Sequence, residues 1–153
     1  MKLVIQRVNI ASVTINGGET RSIGRGLCVL FGAGAGDGAE LIPKLAEKTA
    51  KLRIFSDGEG KMNLSALELG LEVLVVPQFT LFADTKKGNR PSFTGAAEPE
   101  FAKNAFESYC AELEKYSLKK LERGEFGAHM LVSLENDGPV TIIMDTREWQ
   151  RNA

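Results

Sequence analysis

Two periods of apolar spacing run along the chain and mark out its elements. Residues 1–16 carry two extended, β-branched runs, Leu3-Val4-Ile5 and Ala11-Ser12-Val13-Thr14-Ile15. Asn16-Gly17-Gly18 follows them as a hairpin signal. Leu27-Cys28-Val29-Leu30-Phe31 is a continuous apolar run and predicts a strand buried on both faces. From Ala39 to Arg53 the period becomes helical. Leu41, Ile42, Leu45, Thr49 and Leu52 share one stripe, and Pro43 falls in the first turns, where proline is tolerated. Asp57-Gly58-Glu59-Gly60 reads as a turn, and Leu71–Val76 as a strand ended by Pro77. Residues 84–97 form a long polar loop with Gly88, Pro91 and Gly95. A second helix is predicted from Pro99 to Tyr116, with Phe101, Ala105, Phe106, Tyr109, Leu113 and Tyr116 on its buried stripe. Leu118–Leu121, Met130–Leu134 and Val140–Met144 supply the last strands. The pattern predicts one α+β domain: an antiparallel-rich, barrel-like sheet with two main helices.

Composition narrows the class. The chain has 153 residues, 43% hydrophobic and 25% charged, as an ordinary soluble domain does. No apolar run approaches the roughly 20 residues a membrane helix needs, so no membrane partner is expected. Met1–Arg7 is too short in its apolar part for a signal peptide. Cys28 and Cys110 lie inside apolar patterns, as core thiols do, which fits a reducing cytoplasm. A formal net charge of −1 excludes a general nucleic-acid coat protein but leaves room for local basic patches. Lys44, Lys48 and Lys51 fall on one helix face, and Lys86, Lys87 and Arg90 crowd one loop. Both sets read first as solvated surface, and the sequence leaves open whether either contacts a nucleic-acid backbone.

Candidate side-chain chemistry is sparse. His129, the single histidine, has no adjacent Ser or Cys in sequence and reads as structural. One His and two separated Cys do not make a metal site, so no metal and no cofactor are expected. Gly32-Ala33-Gly34-Ala35-Gly36-Asp37-Gly38 follows a strand and opens a helix, which is the context of a dinucleotide loop, with Asp57 at about the distance of a ribose ligand. Against that alternative, the second strand would be only Leu52–Phe55, and no βαβ repeat follows. Thr80 would be a nucleophile only with a base to activate it, and none lies close in sequence.

Two stretches remain. Asn136-Asp137-Gly138-Pro139-Val140-Thr141 contains a Gly-Pro step between two apolar runs, ordinarily a turn, but X-Pro is also the one bond that takes the cis form at low cost. Gln78-Phe79-Thr80 follows a buried strand. Together they resemble the D-aminoacyl-tRNA deacylases, proofreading enzymes marked by a Ser-Gln-Phe-Thr segment and an Asn-x-Gly-Pro-Val-Thr segment. Lys61–Ser65, Asp84–Phe93 and Phe126–Met130 extend the resemblance over essentially the whole chain. One departure is Pro77, which stands where the family usually has Ser. An animal branch of related deacylases carries Pro here but changes Phe79 and the Gly-Pro surroundings, whereas Phe79, Val140 and Thr141 are retained in this chain.

The resemblance implies hydrolysis of D-aminoacyl-tRNA, with glycyl-tRNA mischarged on tRNA-Ala as a second substrate. It assigns Gln78, Phe79 and Thr80 to catalysis, with backbone N–H groups toward the reacting carbonyl and the terminal adenosine's 2′-hydroxyl assisting. It assigns rejection of the L-enantiomer to a cis Gly138-Pro139 step, supported by Arg7, Asn136, Val140, Thr141 and Met130. It further implies a homodimer in which one subunit's Gly-Pro segment enters the other's pocket.

Overall fold

The computed structural model describes residues 1–150. In chain order the elements are β1 (Lys2–Ile15), β2 (Thr20–Ile23), β3 (Gly26–Gly32), α1 (Ile42–Ala50), β4 (Phe55–Ser56), β5 (Met62–Leu64), α2 (Ala66–Leu69), β6 (Glu72–Pro77), α3 (Pro99–Glu114), β7 (Lys120–Arg123), β8 (Met130–Asp145) and α4 (Thr146–Gln150). Two 3₁₀ turns, 39–41 and 79–82, complete it.

The main sheet has the order β2-β1-β3-β6-β7, with β8 on the other edge of β1. It curls into a nearly closed barrel. The expectation of an antiparallel-rich sheet is corrected to a mixed one. β1 pairs antiparallel with β2, β3 and β8, but β3–β6 and β6–β7 are parallel. The crossovers through α1 and α3 force this, because a helix returning over one face delivers the next strand in the same direction. β4 and β5 form a separate small hairpin. Two helices become four, since α2 and α4 add one short turn each. α2 is set by a full capping box, in which Ser65 and Glu68 exchange side-chain-to-backbone hydrogen bonds.

The first helix is shorter than its pattern. Residues 39–41 form a 3₁₀ turn and α1 begins at Ile42, with Pro43 in its first positions. It ends at Ala50, after which Leu52 N–H bonds Thr49 O and Ile54 N–H bonds Leu52 O, tightening the chain toward β4. The two runs of residues 1–16 are one strand. So are the two runs flanking Gly138-Pro139, which is therefore no hairpin turn. Both flanks of that step pair with β1, Leu134 opposite Ala11 and Thr141 opposite Gln6. Proline's missing N–H costs no ladder bond there, because the register shifts between Gln6 and Val8 and again before Ile10.

Those irregularities also divide the core. Side chains alternate faces along a strand, so Leu3 and Ile5 on β1 face the helices. Val8, Ala11 and Val13 share the other face, a spacing that requires the extra residue of a bulge. β3 and β6 contribute to both sides. Leu27, Val29, Phe31, Val73 and Val75 meet Leu45, Phe106, Tyr109 and Leu113 of α1 and α3. Cys28, Leu74 and Val76 fill the barrel interior. Burial pushes the Cys28 thiol up to about 11 and Cys110 up to about 12, which leaves both unreactive at neutral pH.

One buried polar chain clips the two long helices together. Tyr109 donates to Thr49 Oγ1 at 2.8 Å, and Thr49 donates to Leu45 O at 2.9 Å. Tyr109→Phe is expected to lower the unfolding free energy by about 1 kcal/mol, the net worth of one such bond, read as an earlier urea midpoint with unchanged slope.

Candidate active site

At the C-terminal end of β6 the chain leaves Pro77 and turns through residues 79–82. Gln78 N–H bonds Phe31 O at 2.7 Å, which fixes the start of the turn against β3. The first N–H groups of such a turn have no acceptor within it, and no side chain caps them. The N–H groups of Phe79 and Thr80 have no hydrogen-bond partner among the described residues, and beside the turn lies a narrow crevice lined by Gly32, Ala33, Pro77, Gln78, Phe79 and Phe126. Such unpaired donors stabilise a carbonyl oxygen that gains charge during acyl transfer.

Glycine 32 admits this turn. A Cβ there would stand 2.9 Å from Gln78 O and 3.2 Å from Leu81 Cβ. At Gly34 a Cβ would collide with the Phe82 ring. The glycines of residues 32–38 therefore serve close packing against the 79–82 turn. Gly34 N–H, the donor a phosphate would need, is taken by the Asp37 carboxylate at 2.6 Å.

Thr80 has no base. Its Oγ1 accepts a hydrogen bond from the Gln78 amide, a group that cannot take up a proton near neutrality. His129 lies exposed beyond the far end of β1, where its backbone N–H and C=O bond Asn16. No group of three metal-ligating side chains occurs among the described residues.

Gly138-Pro139 is held from three sides. Arg7, only 13% exposed, reaches Asp137 O and Asp137 Oδ2, each at 3.1 Å from Nε, and donates from Nη1 to Ile54 O at 2.7 Å. Asn136 Nδ2 donates to Arg7 O and to Val140 O, both at 3.0 Å. Gly138 has φ +134°, and a Cβ on it would lie 2.9 Å from Val140 N, so only glycine fits. The Gly138-Pro139 bond is cis. Thr141 Oγ1 accepts from Gln6 Nε2 at 3.3 Å, and Val140 packs on the main core.

The two segments lie on separate strands of the sheet. Pro139 stands level with Arg7, while Pro77 is level with Phe31 and hence Leu3. Four residues of rise and three strand spacings separate them, on the order of 20 Å along the sheet. Met130 is the exception among the supporting residues. Both its sulfur and Pro77 Cδ crowd the position of a Cβ on Gly124, and it packs on the barrel interior, so it lies beside Pro77 rather than the Gly-Pro step.

Two features lay outside the sequence reading. Ile54 anchors Arg7 through a backbone carbonyl, which leaves no mark in residue type. Phe93, brought back by the Asp84–Ser92 bridge, meets Phe79 edge-on at 5.2 Å, and both rings are exposed.

Fold and site define a mixed α+β protein with a narrow crevice beside the 79–82 turn and a braced cis Gly138-Pro139 step. The family model described as D-Tyr-tRNA(Tyr) deacylase matches residues 4–145. A curated D-aminoacyl-tRNA deacylase of Roseiflexus castenholzii is 52% identical over 146 residues, covering 95% of this chain and 92% of the relative. The chain belongs to the D-Tyr-tRNA(Tyr) deacylase family. A solved structure of a c-Myc DNA Unwinding Element Binding Protein is 41% identical, with TM-score 0.87 and coverage of 95% of this chain and 98% of that one. A second, described as a "probable eukaryotic D-amino acid tRNA deacylase", shares the fold at 17% identity and TM-score 0.80, over 94% and 97% of the two chains.

Proposed function

We propose that this chain hydrolyses the ester of D-aminoacyl-tRNA to free D-amino acid and tRNA, at a site completed by a second copy of itself. Family membership supports the activity. The separation of the two segments along the sheet supports the two-subunit site, since a second copy can bring a braced Gly138-Pro139 step to the crevice at Gln78-Phe79-Thr80.

In the dimer, the Phe79 and Thr80 N–H groups receive the ester carbonyl oxygen, and Gln78 orients the terminal adenosine through its amide. The adenosine's 2′-hydroxyl assists attack of water on the ester carbon, which takes the place of the base that Thr80 lacks. The ester C–O bond then breaks, the ribose oxygen regains a proton, and the D-amino acid leaves.

Chirality is read by exclusion. D- and L-esters differ only in where the side chain leaves Cα, and a wall on the L side needs no knowledge of what it rejects. Gly138-Pro139 of the partner is that wall, with its carbonyls toward the bound Cα and Arg7 and Asn136 keeping it rigid. Glycine has no side chain to exclude, so glycyl-tRNA mischarged on tRNA-Ala is a second substrate. No observation favours the nucleotide-loop alternative, since Asp37 already occupies the donor at Gly34.

The dimer is tested by sedimentation of the active enzyme at micromolar concentration. A mass of two chains is expected; a monomer with full activity would refute the shared site.

A further inference from the structure

On the deacylase reading given above, we infer that the outer face of α1 together with Trp149 is the surface that holds the phosphate backbone of the tRNA. A shallow groove there is lined by Lys44, Lys48, Lys51 and Arg53, with Ile142 and Trp149 beneath. All four cations are exposed, in a chain whose net charge is −1. Among the described residues the groove has a single lining carboxylate, Glu47, and Lys51 pairs with it at 2.7 Å. That pairing holds the Glu47 carboxyl below its ordinary value, so it stays ionised and its charge is spent on Lys51.

Lys44, Lys48 and Arg53 have no carboxylate within ion-pair distance among the described residues. Arg53 is committed only to Asn63, through Nε to its backbone O at 2.7 Å and Nη2 to its side chain at 3.1 Å. Three uncompensated positive charges therefore share one strip. A strip of positive charge of this kind attracts a polyanion.

Geometry separates a polyanion from a single anion. Lys44 and Lys48 are one helical turn apart, and Lys51 extends the row to about 10 Å along the helix axis. Both Lys44 and Lys48 ammonium groups sit 5.3 Å from the centre of the Trp149 ring. The ring attracts them without neutralising them, so the charges are positioned yet free for phosphate.

The strip also ends in the right place. Arg53 adjoins Ile54, whose carbonyl anchors Arg7, and Arg7 holds the Gly138-Pro139 segment. A nucleic acid lying along α1 is thus led to the segment that faces the partner's crevice in the dimer. Phosphates held here fix position and carry no sequence, which suits an enzyme that must accept many tRNAs.

The test uses the whole enzyme and uncharged tRNA, so it does not depend on deacylation. Lys44→Glu with Lys48→Glu is expected to raise Kd for tRNA at least tenfold at near-physiological salt. The slope of log Kd against log salt should drop by roughly 1.4 to 1.8, about 0.7–0.9 for each of two phosphates that are no longer neutralised. Hydrolysis of a D-aminoacyl ester of adenosine, which carries no phosphate, should be unchanged. If the glutamate pair does not fold, Lys44→Gln with Lys48→Gln gives the same directions at smaller size. An unchanged Kd, equal loss on the adenosine ester, or tighter binding to duplex DNA of matched length would each overturn the assignment. Normal tRNA binding by the unaltered enzyme, abolished in the variant, but with no hydrolysis of any D-aminoacyl-tRNA, would sink the deacylase reading and leave this surface standing.

Discussion

D-Aminoacyl-tRNA whose terminal adenosine lacks its 2′-hydroxyl is expected to be hydrolysed about 10²–10⁴-fold more slowly, the span that one positioned proton-transfer group contributes. The reason is what surrounds Thr80. Its hydroxyl accepts from the Gln78 amide and meets no base, so it cannot act as an activated nucleophile. On the proposed reading the proton acceptor comes with the substrate. Thr80→Ala should cost less than about tenfold, or about 1.4 kcal/mol of barrier, since it removes only a hydrogen-bond partner of Gln78. Loss of a true side-chain nucleophile would cost several orders of magnitude. Single-turnover rates on matched ribo- and deoxy-terminated substrates separate the two cases. Undiminished turnover of the deoxy substrate, with collapse in Thr80→Ala, would place the nucleophile on the protein.

A second large effect concerns which chain supplies which half of the site. Gly138→Ala puts a Cβ 2.9 Å from Val140 N at a φ of +134° and should displace the segment into the space of the bound aminoacyl group, so that D-esters are turned away as well. Gln78→Ala removes the orienting amide. Each homodimer is expected to fall to about 1% of normal activity or below, roughly 3 kcal/mol of barrier. Co-expression of the two variants should restore activity. In a two-fold dimer, half of the randomly paired molecules are mixed, and each has one site with both halves intact, so about a quarter of normal activity returns. If both halves belonged to one chain, every site in every pairing would be damaged and nothing would return. The outcome is a near-binary one.

Much of this was legible in the residues. The two long helices, the doubly buried strand Leu27–Phe31 and the core thiols followed from apolar period alone. Strand direction did not, because a parallel and an antiparallel neighbour bury the same alternating residues. The continuous β8 was also missed: Gly-Pro between apolar runs marks a turn unless a partner strand spans both runs, and β1 does so with a bulge that residue type does not announce. The glycines at 32 and 34 show the same limit from the other side. A Gly-rich loop after a strand suits a phosphate, but here it suits Gln78 O and the Phe82 ring. The family motifs named the residues of both segments; the roughly 20 Å between them along the sheet is visible only once the register is known.

The most direct test of the central claim is initial-rate deacylation of D-tyrosyl-tRNA and L-tyrosyl-tRNA by the same enzyme preparation. Exclusion of the L side chain by a rigid wall predicts a ratio of at least ~10³ in favour of the D-ester, about 4 kcal/mol between the two transition states. Glycyl-tRNA in the same assay should be hydrolysed readily. Brisk hydrolysis of L-tyrosyl-tRNA, or inertness toward D-tyrosyl-tRNA, would contradict the account.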